Sequence, residues 1–355
     1  MTEGGLLRNI ESRLRELLKE VPFIRAKRWK VQTRLTPKRL DRQIDLVVDL
    51  VAGRKAWQLL VETKGSGEPR IVRSGIQQIR QLQSLRKKHT YGMVAASYIG
   101  PESRKLCRDA NIGFIDLAGN CRLVFDQIFM ERLGAPNPVV ERRPLRSIFT
   151  PKASRILRVL LEVPKRQWKL QDLAREAKVS LGLTAKVKHR LLDLEFAREE
   201  KNGFLLVGAE ELVRRWAAAY SFPKGDSLDC YGPGDVPKLE RQLSDYCRQA
   251  NIRYGLALFS GAARVAPFAR YARGFAYVQT DLLSAAKGLG WKPVPSGANF
   301  TLLAPFDDGV WYGTRTLNGE SIVSDLQLFL DLIGYKGRGE EAAEAILEQG
   351  LRPRW

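Results

Sequence analysis

The sequence predicts a mixed α/β protein in three parts: an α/β domain, a small helical domain closed by a β-hairpin, and an α+β domain. Three observations carry that prediction. Apolar β-type runs alternate with amphipathic helical periods over residues 1–135, the pattern of a sheet flanked by helices. Residues 148–208 hold three short helical periods and then two strands around Asn202-Gly203, a hairpin signal. Charge divides the chain as well. The net formal charge is +20 over 355 residues, with 28 Lys and Arg against 15 Asp and Glu in residues 1–145, 14 against 7 in 146–208, and 17 against 17 in 209–355. All of the excess precedes residue 209, so the first two parts are expected to meet a polyanion through salt-dependent contacts.

Composition bounds the remaining possibilities. With 44% hydrophobic and 28% charged residues, the chain can bury two or three cores. No apolar run approaches the roughly 18 residues of a membrane span, and the amphipathic, acid-containing start is unlike a signal peptide. A cytoplasmic protein is expected. No basic helix carries a Trp/Phe face, so a membrane surface is not an expected partner. Cys107, Cys121, Cys230 and Cys247 are widely spaced, and His89 and His189 are the two histidines, so zinc chemistry lacks ligands and four reduced packing thiols are expected. His89 follows Arg86-Lys87-Lys88 in an expected turn and reads as solvated or phosphate-facing.

In chain order, Leu6, Leu7, Ile10, Leu14, Leu17, Leu18 and Val21 mark a core-facing helix that also carries Glu11, Glu16 and Glu20. The run from Arg25 to Arg42 is dense in cations, among them Lys27, Arg28, Lys30, Arg34, Lys38 and Arg39, with Trp29 between them. It reads either as a flap along phosphates or as a solvated basic face. Two apolar runs, Gln43 to Val51 and Ala56 to Val61, then flank Ala52-Gly53-Arg54-Lys55. A two-residue type II′ turn with Gly53 first sets Asp45 directly opposite Glu62. Carboxylates facing at roughly 4 to 5 Å repel by about 1 kcal/mol in water and several at a drier site. A cation between them is therefore expected. Lys64 shares the face of Glu62 by strand alternation, and a divalent ion held by hard oxygens completes the neutralisation.

Asp45, then Glu62-Thr63-Lys64, then Gln78-Ile79 on a helix after Glu68-Pro69-Arg70, resembles the PD-(D/E)xK restriction-endonuclease-like superfamily. The resemblance implies a restriction-endonuclease-like α/β domain over 1–135 and Mg²⁺- (or Mn²⁺-) dependent phosphodiester hydrolysis. It implies Asp45, Glu62 and the backbone carbonyl of Thr63 as metal ligands, with Lys64 orienting or activating water and stabilising charge, and Gln78 positioning water or phosphate. Some members add a glutamate from the first helix, and sequence leaves open which of the three would reach. The site chemistry does not report the sugar, so DNA and RNA both remain open as substrates. The rest of this part reads as helix 73–85, strand 91–97, helix 101–110 and strands 112–116, 121–125 and 128–133. Asp116 and Asn120 read as serving a turn.

Residues 136–147, rich in Pro and charge, read as a linker. Residues 148–208 read as a winged helix-turn-helix: a helix from Pro151, a second from Leu170, a turn at Lys178-Val179-Ser180, a third helix over 181–194, and a wing over 198–207. The third helix is expected to present Ser180, Gly182, Thr184, Lys186, Lys188 and Arg190 to double-stranded DNA, with His189 on the same helix and Lys201 on the wing. Residues 209–355 read as an α+β domain with strands near 254–259, 275–279 and 300–305 and helices at 324–333 and from Arg338; Asp307-Asp308 reads as a turn. Tyr254 to Ala263, Val323-Ser-Asp-Leu-Gln-Leu-Phe-Leu-Asp-Leu and Arg338-Gly-Glu-Glu-Ala-Ala, together with the winged helix, resemble the AbiEi-type antitoxins of type IV toxin-antitoxin systems over about 150–350. That resemblance implies repression of its own operon and a nucleotidyltransferase-type toxin partner. The minimal antitoxins lack a nuclease-like part, so two readings stand: a DNA-targeted endonuclease in defence, or an antitoxin and repressor that does not cut. A homodimer is expected if one site per chain cuts both strands.

Overall fold

The computed structural model describes residues 3–34, 43–85, 89–135, 148–222, 225–266, 271–335 and 338–355. The 136–147 linker, the Arg86–Lys88 turn, and Lys38 and Arg39 lie outside the described residues. The chain divides into two compact units, residues 1–142 with 193–195, and residues 143–192 with 196–355.

The first unit is a seven-stranded sheet whose spatial order follows the chain. Its elements are α1 (Glu3–Lys19), β1 (Ile24–Arg34), β2 (Gln43–Ala52), β3 (Lys55–Lys64), α2 (Pro69–Ser84), β4 (Thr90–Ala96), α3 (Pro101–Asp109), β5 (Gly113–Asp116), β6 (Cys121–Phe125) and β7 (Ile128–Arg132). Pairing is antiparallel for β1-β2-β3 and β5-β6-β7, but parallel for β3-β4-β5, where α2 and α3 supply the long crossovers that parallel strands need. One face packs Leu46, Val48, Leu59, Val61 and Met93 under Ile10, Leu14 and Leu17 of α1. The other packs Ile44, Val47, Leu60 and Val94 under Val72, Ile76 and Ile79 of α2. Because both faces are covered, Leu59, Leu60 and Val61 read as one unbroken apolar run.

The cationic run after α1 is not a flap over residues 24–34. Those residues form an edge strand paired with β2 from Ile24↔Ala52 to Arg34↔Gln43, with a register shift between Ala26 and Arg28. An edge strand needs few inward side chains, and its exposed Arg25, Lys27 and Arg28 hide the two-residue period. Among its described side chains Ile24 and Trp29 pack inward, and Arg15 of α1 stacks on Trp29 at 3.9 Å.

The second unit begins with α4 (Pro151–Glu162), α5 (Leu170–Glu176), α6 (Leu181–Asp193), β8 (Ala197–Glu200) and β9 (Gly203–Leu206). Glu200 pairs with Gly203, so the hairpin turns at Lys201-Asn202, one residue earlier than Asn202-Gly203. There follow α7 (Ala209–Ala218), β10 (Ser227–Tyr231), α8 (Val236–Gln249), β11 (Tyr254–Leu256), α9 (Leu258–Val265), β12 (Gly274–Val278), α10 (Leu282–Leu289), β13 (Lys292–Pro293), β14 (Phe300–Leu303), β15 (Arg315–Leu317), β16 (Glu320–Ile322), α11 (Asp325–Ile333) and α12 (Gly339–Ile346). The sheet order is β13-β10-β14-β12-β11-β16-β15. The strand expected through Phe259 stops at Leu256, because the apolar run 254–259 serves both a three-residue strand and the first turn of α9, which continues through Ala262 and Ala263.

Polar side chains join α4 to the following sheet domain. Arg155 forks onto Asp307 at 2.7 and 2.9 Å, and Asp307 also accepts the Gly309 amide at 2.7 Å, the turn role read from the sequence. Deeper, Arg158 donates to Gln327 Oε1 at 2.6 Å, and Gln327 Nε2 donates to Asp331 Oδ1 at 2.7 Å. The hydroxyls of Tyr220 and Tyr277 donate to the two oxygens of Asp331 at 2.7 and 3.1 Å. Among the described residues, no helix is long and apolar enough to cross a membrane.

Candidate functional site

The β2–β3 hairpin builds the first candidate site. Seven pairs run from Ala52↔Lys55 to Leu46↔Val61, leaving Gly53-Arg54 as the turn, with Gly53 at the positive φ (+57°) that the first position of a type II′ turn requires. One step beyond the last pair stand Asp45 and Glu62. The Thr63 amide donates to Asp45 Oδ2 at 2.8 Å and the Thr63 hydroxyl to the same oxygen at 2.5 Å. Lys64 Nζ donates to Glu62 Oε1 at 2.9 Å and to Gln78 Oε1 at 2.5 Å. Asp45, Glu62, Thr63, Lys64 and Gln78 are thus brought to one strand end.

Packing explains how α2 delivers Gln78. A Cβ on Gly75 would lie 3.2 Å from Lys64 Cε, so a glycine there lets the helix lie close along the lysine stem. Glu62 is 6% exposed, and burial raises its pKa above the ordinary glutamate value. The Lys64 contact acts against that rise, and the charge of Asp45 adds to it. The carboxylates therefore feel one another, as their register requires.

Other polar residues of this unit have structural partners. Glu11 pairs with Arg15, Glu16 with Arg13 and Glu20 with Arg132, so each of these three glutamates is engaged by an arginine. Asp116, fully buried, accepts the amides of Ile99 and Asn120 and the Asn120 side chain, which is the turn role read from the sequence. His89 packs its ring 5.1 Å from that of Trp57.

A divalent ion can be weighed against the donors present. Asp45 Oδ2 is spent on Thr63 and Glu62 Oε1 on Lys64, while the second oxygen of each accepts no hydrogen bond among the described residues. Among those residues no three His, Cys, Asp or Glu side chains converge on a cage. Two carboxylates with one oxygen each to spare suit Mg²⁺, which binds through one or two carboxylates and fills its remaining positions with water and phosphate.

The second candidate site is α6 and the β8–β9 turn. Ser180 caps α6, its hydroxyl accepting the Leu183 amide at 3.3 Å. Thr184 corrects the sequence expectation: it is fully buried, and its hydroxyl donates back to the Ser180 carbonyl at 3.1 Å. It sits three and seven residues before the buried Val187 and Leu191, which places it on the core stripe of the helix. Lys188 is tied to Glu199 at 2.9 Å, with its ammonium 5.6 Å from the Phe204 ring. Gly182, Lys186, His189 and Lys201 are exposed, and Arg190 is half-buried. The sequence reading missed the Thr63 hydroxyl on Asp45 and the Arg158–Gln327–Asp331 chain. The second had a visible signal, Gln327 and Asp331 four apart in a helix that is otherwise apolar after Asp325.

Residues 205–352 match the model of the family described as "Transcriptional regulator, AbiEi antitoxin, Type IV TA system". The match starts at β9, later than the resemblance drawn from residue 150. No curated protein matches the chain. Among solved structures, the crystal structure of a repair endonuclease from Pyrococcus abyssi is similar over 30% of this chain, at 18% identity and a TM-score of 0.21. This chain spans 46% of that one, and a likeness so slight carries no argument.

Proposed function

We propose that this chain is a DNA-binding regulator of the type IV toxin-antitoxin kind. The observation that carries this reading is the family match over 205–352, the region to which α4 is joined by Arg155 and Arg158. Three helices and a hairpin ahead of that region support a winged helix-turn-helix, with Lys186 and Lys201 exposed for phosphate contact and Gly182 at the start of α6, open to close approach. Double-stranded DNA is the proposed ligand, a nucleotidyltransferase-type toxin the proposed protein partner, and a homodimer the proposed assembly.

One observation favours a second activity in the same chain, phosphodiester hydrolysis. Asp45 and Glu62 would hold Mg²⁺ or Mn²⁺, with the Thr63 carbonyl as the third protein oxygen, and a cation bound there would supply charge stabilisation to a phosphoryl group. Lys64 Nζ, shared by Glu62 and Gln78, is the ammonium that can hydrogen-bond a phosphate oxygen as negative charge builds on it. Gln78 orients that ammonium from α2 and offers its own amide N–H to a phosphate or water. Burial of Glu62 keeps this exchange of charge in a low-dielectric setting, where each interaction is stronger than in water.

Two assays on the full chain test both parts. Gel shifts on DNA upstream of its own gene, at two salt concentrations, should show tight, salt-sensitive binding; its absence would sink the regulator reading. Plasmid and linear DNA with Mg²⁺ or Mn²⁺ should be cut by the wild type and not by Lys64→Ala or Asp45→Ala, while both variants still bind. Binding without cutting under either metal would leave the regulator alone standing.

A further inference from the structure

Asp45 stands where the β2–β3 ladder ends. In place of a further backbone pair, its side chain receives the Thr63 amide at 2.8 Å and the Thr63 hydroxyl at 2.5 Å, both on Oδ2. An amide alone would leave the carboxylate free about its terminal torsion, which is broad for an aspartate. A second donor on the same oxygen fixes that torsion and decides which oxygen is spent. Thr63 suits the task because a β-branched side chain on a strand is restricted at χ1, so its hydroxyl is held in place before any ligand arrives.

We propose that Thr63 is a positioning residue of this site, its hydroxyl pinning Asp45 through Oδ2 so that Oδ1 is held out, beside Glu62, to a hard divalent cation. This is separate from any role of the Thr63 carbonyl, and it rests on Asp45 and Glu62 forming a cation site. Hydrogen-bond partners that orient metal ligands typically set affinity by about 10- to 100-fold. The hydroxyl therefore governs how tightly the ion is held.

The test is Mn²⁺ binding by the full chain, followed by loss of the free-ion EPR signal, for wild type, Thr63→Val, Thr63→Ala, Thr63→Ser and Asp45→Asn. Valine keeps the branched shape and the amide while losing the hydroxyl. Thr63→Val and Thr63→Ala should each weaken Mn²⁺ binding about tenfold or more, and Thr63→Ser should restore it to within about threefold. In the cleavage assay the hydroxyl-free variants should need more Mg²⁺ for half-maximal rate yet approach the wild-type rate at saturation, a split that a merely structural role would not give. Wild-type affinity in Thr63→Val and Thr63→Ala, with binding lost in Asp45→Asn, would overturn the role of Thr63 and leave the cation site intact. Failure of the wild type itself to bind Mn²⁺, or undiminished binding by Asp45→Asn, would overturn the site and the positioning role together.

Discussion

Arg158→Met, measured at two pH values, probes the buried chain from α4 to α11. Arg158 is 1% exposed, donates one bond to Gln327, and leaves Nε and Nη1 without partners among the described residues. Burial holds its pKa below the ordinary arginine value. At the other end of the chain, burial pushes Asp331 up to about 6 from 3.8, while bonds from Gln327, Tyr220 and Tyr277 and the charge of Arg158 act the other way. A carboxyl raised in this sense holds a proton that the unfolded chain has released. Its contribution to stability is therefore full below 3.8 and lost as pH rises through about 6. At 1.36 kcal/mol per pKa unit, the ionised form carries a penalty of about 3 kcal/mol. Methionine removes the guanidinium that favours that ionised form. Near pH 8, where Asp331 is charged, Arg158→Met should cost about 3 kcal/mol, the usual scale for stranding one partner of a buried pair. Near pH 5 Asp331 is neutral, and methionine also relieves the two orphaned guanidinium nitrogens, so the cost should fall to about 1 kcal/mol or less. Hydrogen exchange of the α11 amides in the full chain measures the difference locally. Equal destabilisation at both pH values would refute the coupling.

Three further outcomes are expected. Since burial raises the pKa of Glu62 and the Lys64 contact opposes the rise, Mn²⁺ binding should weaken as pH falls through the Glu62 titration, and Lys64→Met should move that loss to higher pH; EPR titrations across pH check it. In DNA binding, Lys186→Ala and Lys201→Ala should each flatten the slope of log K against log salt by about 0.9 for every phosphate no longer neutralised, whereas Thr184→Val, which alters a buried position, should leave the slope unchanged, as fluorescence anisotropy at several salt concentrations would show. Cys107 and Cys247 are pushed up to about 12 and Cys230 to about 11 by burial, so mass spectrometry should find no alkylation of the native chain near neutral pH and full alkylation in urea.

The hairpin was legible because everything that fixes it is local: two apolar runs, one glycine, and a register that follows once the turn length is known. Lys64 lies on the face of Glu62 by the same arithmetic. The Thr63 bond was not legible, since it depends on where the ladder stops, and pairing patterns do not state their own ends. The β1 strand was hidden for a different reason: its backbone pairs with β2 while most of its described side chains face water, so hydrophobic period carries little of the signal. Thr184 shows a polar residue type masking a core position that the helical spacing already marked. Arg158 and Gln327 meet across 169 residues of sequence, a separation over which no local pattern speaks.

The chain from Arg158 through Gln327 to Asp331 also limits how this protein can be reshuffled. A recombination event joining the α4–β9 segment to a foreign partner at residue 208 would leave one product with a sealed arginine and no acceptor, and the other with a sealed aspartate and no counter-charge. Both products begin with a folding handicap. A piece that runs from about residue 148 onward keeps both ends of this buried chain together, and the exposed positions of α6 can be exchanged without touching it.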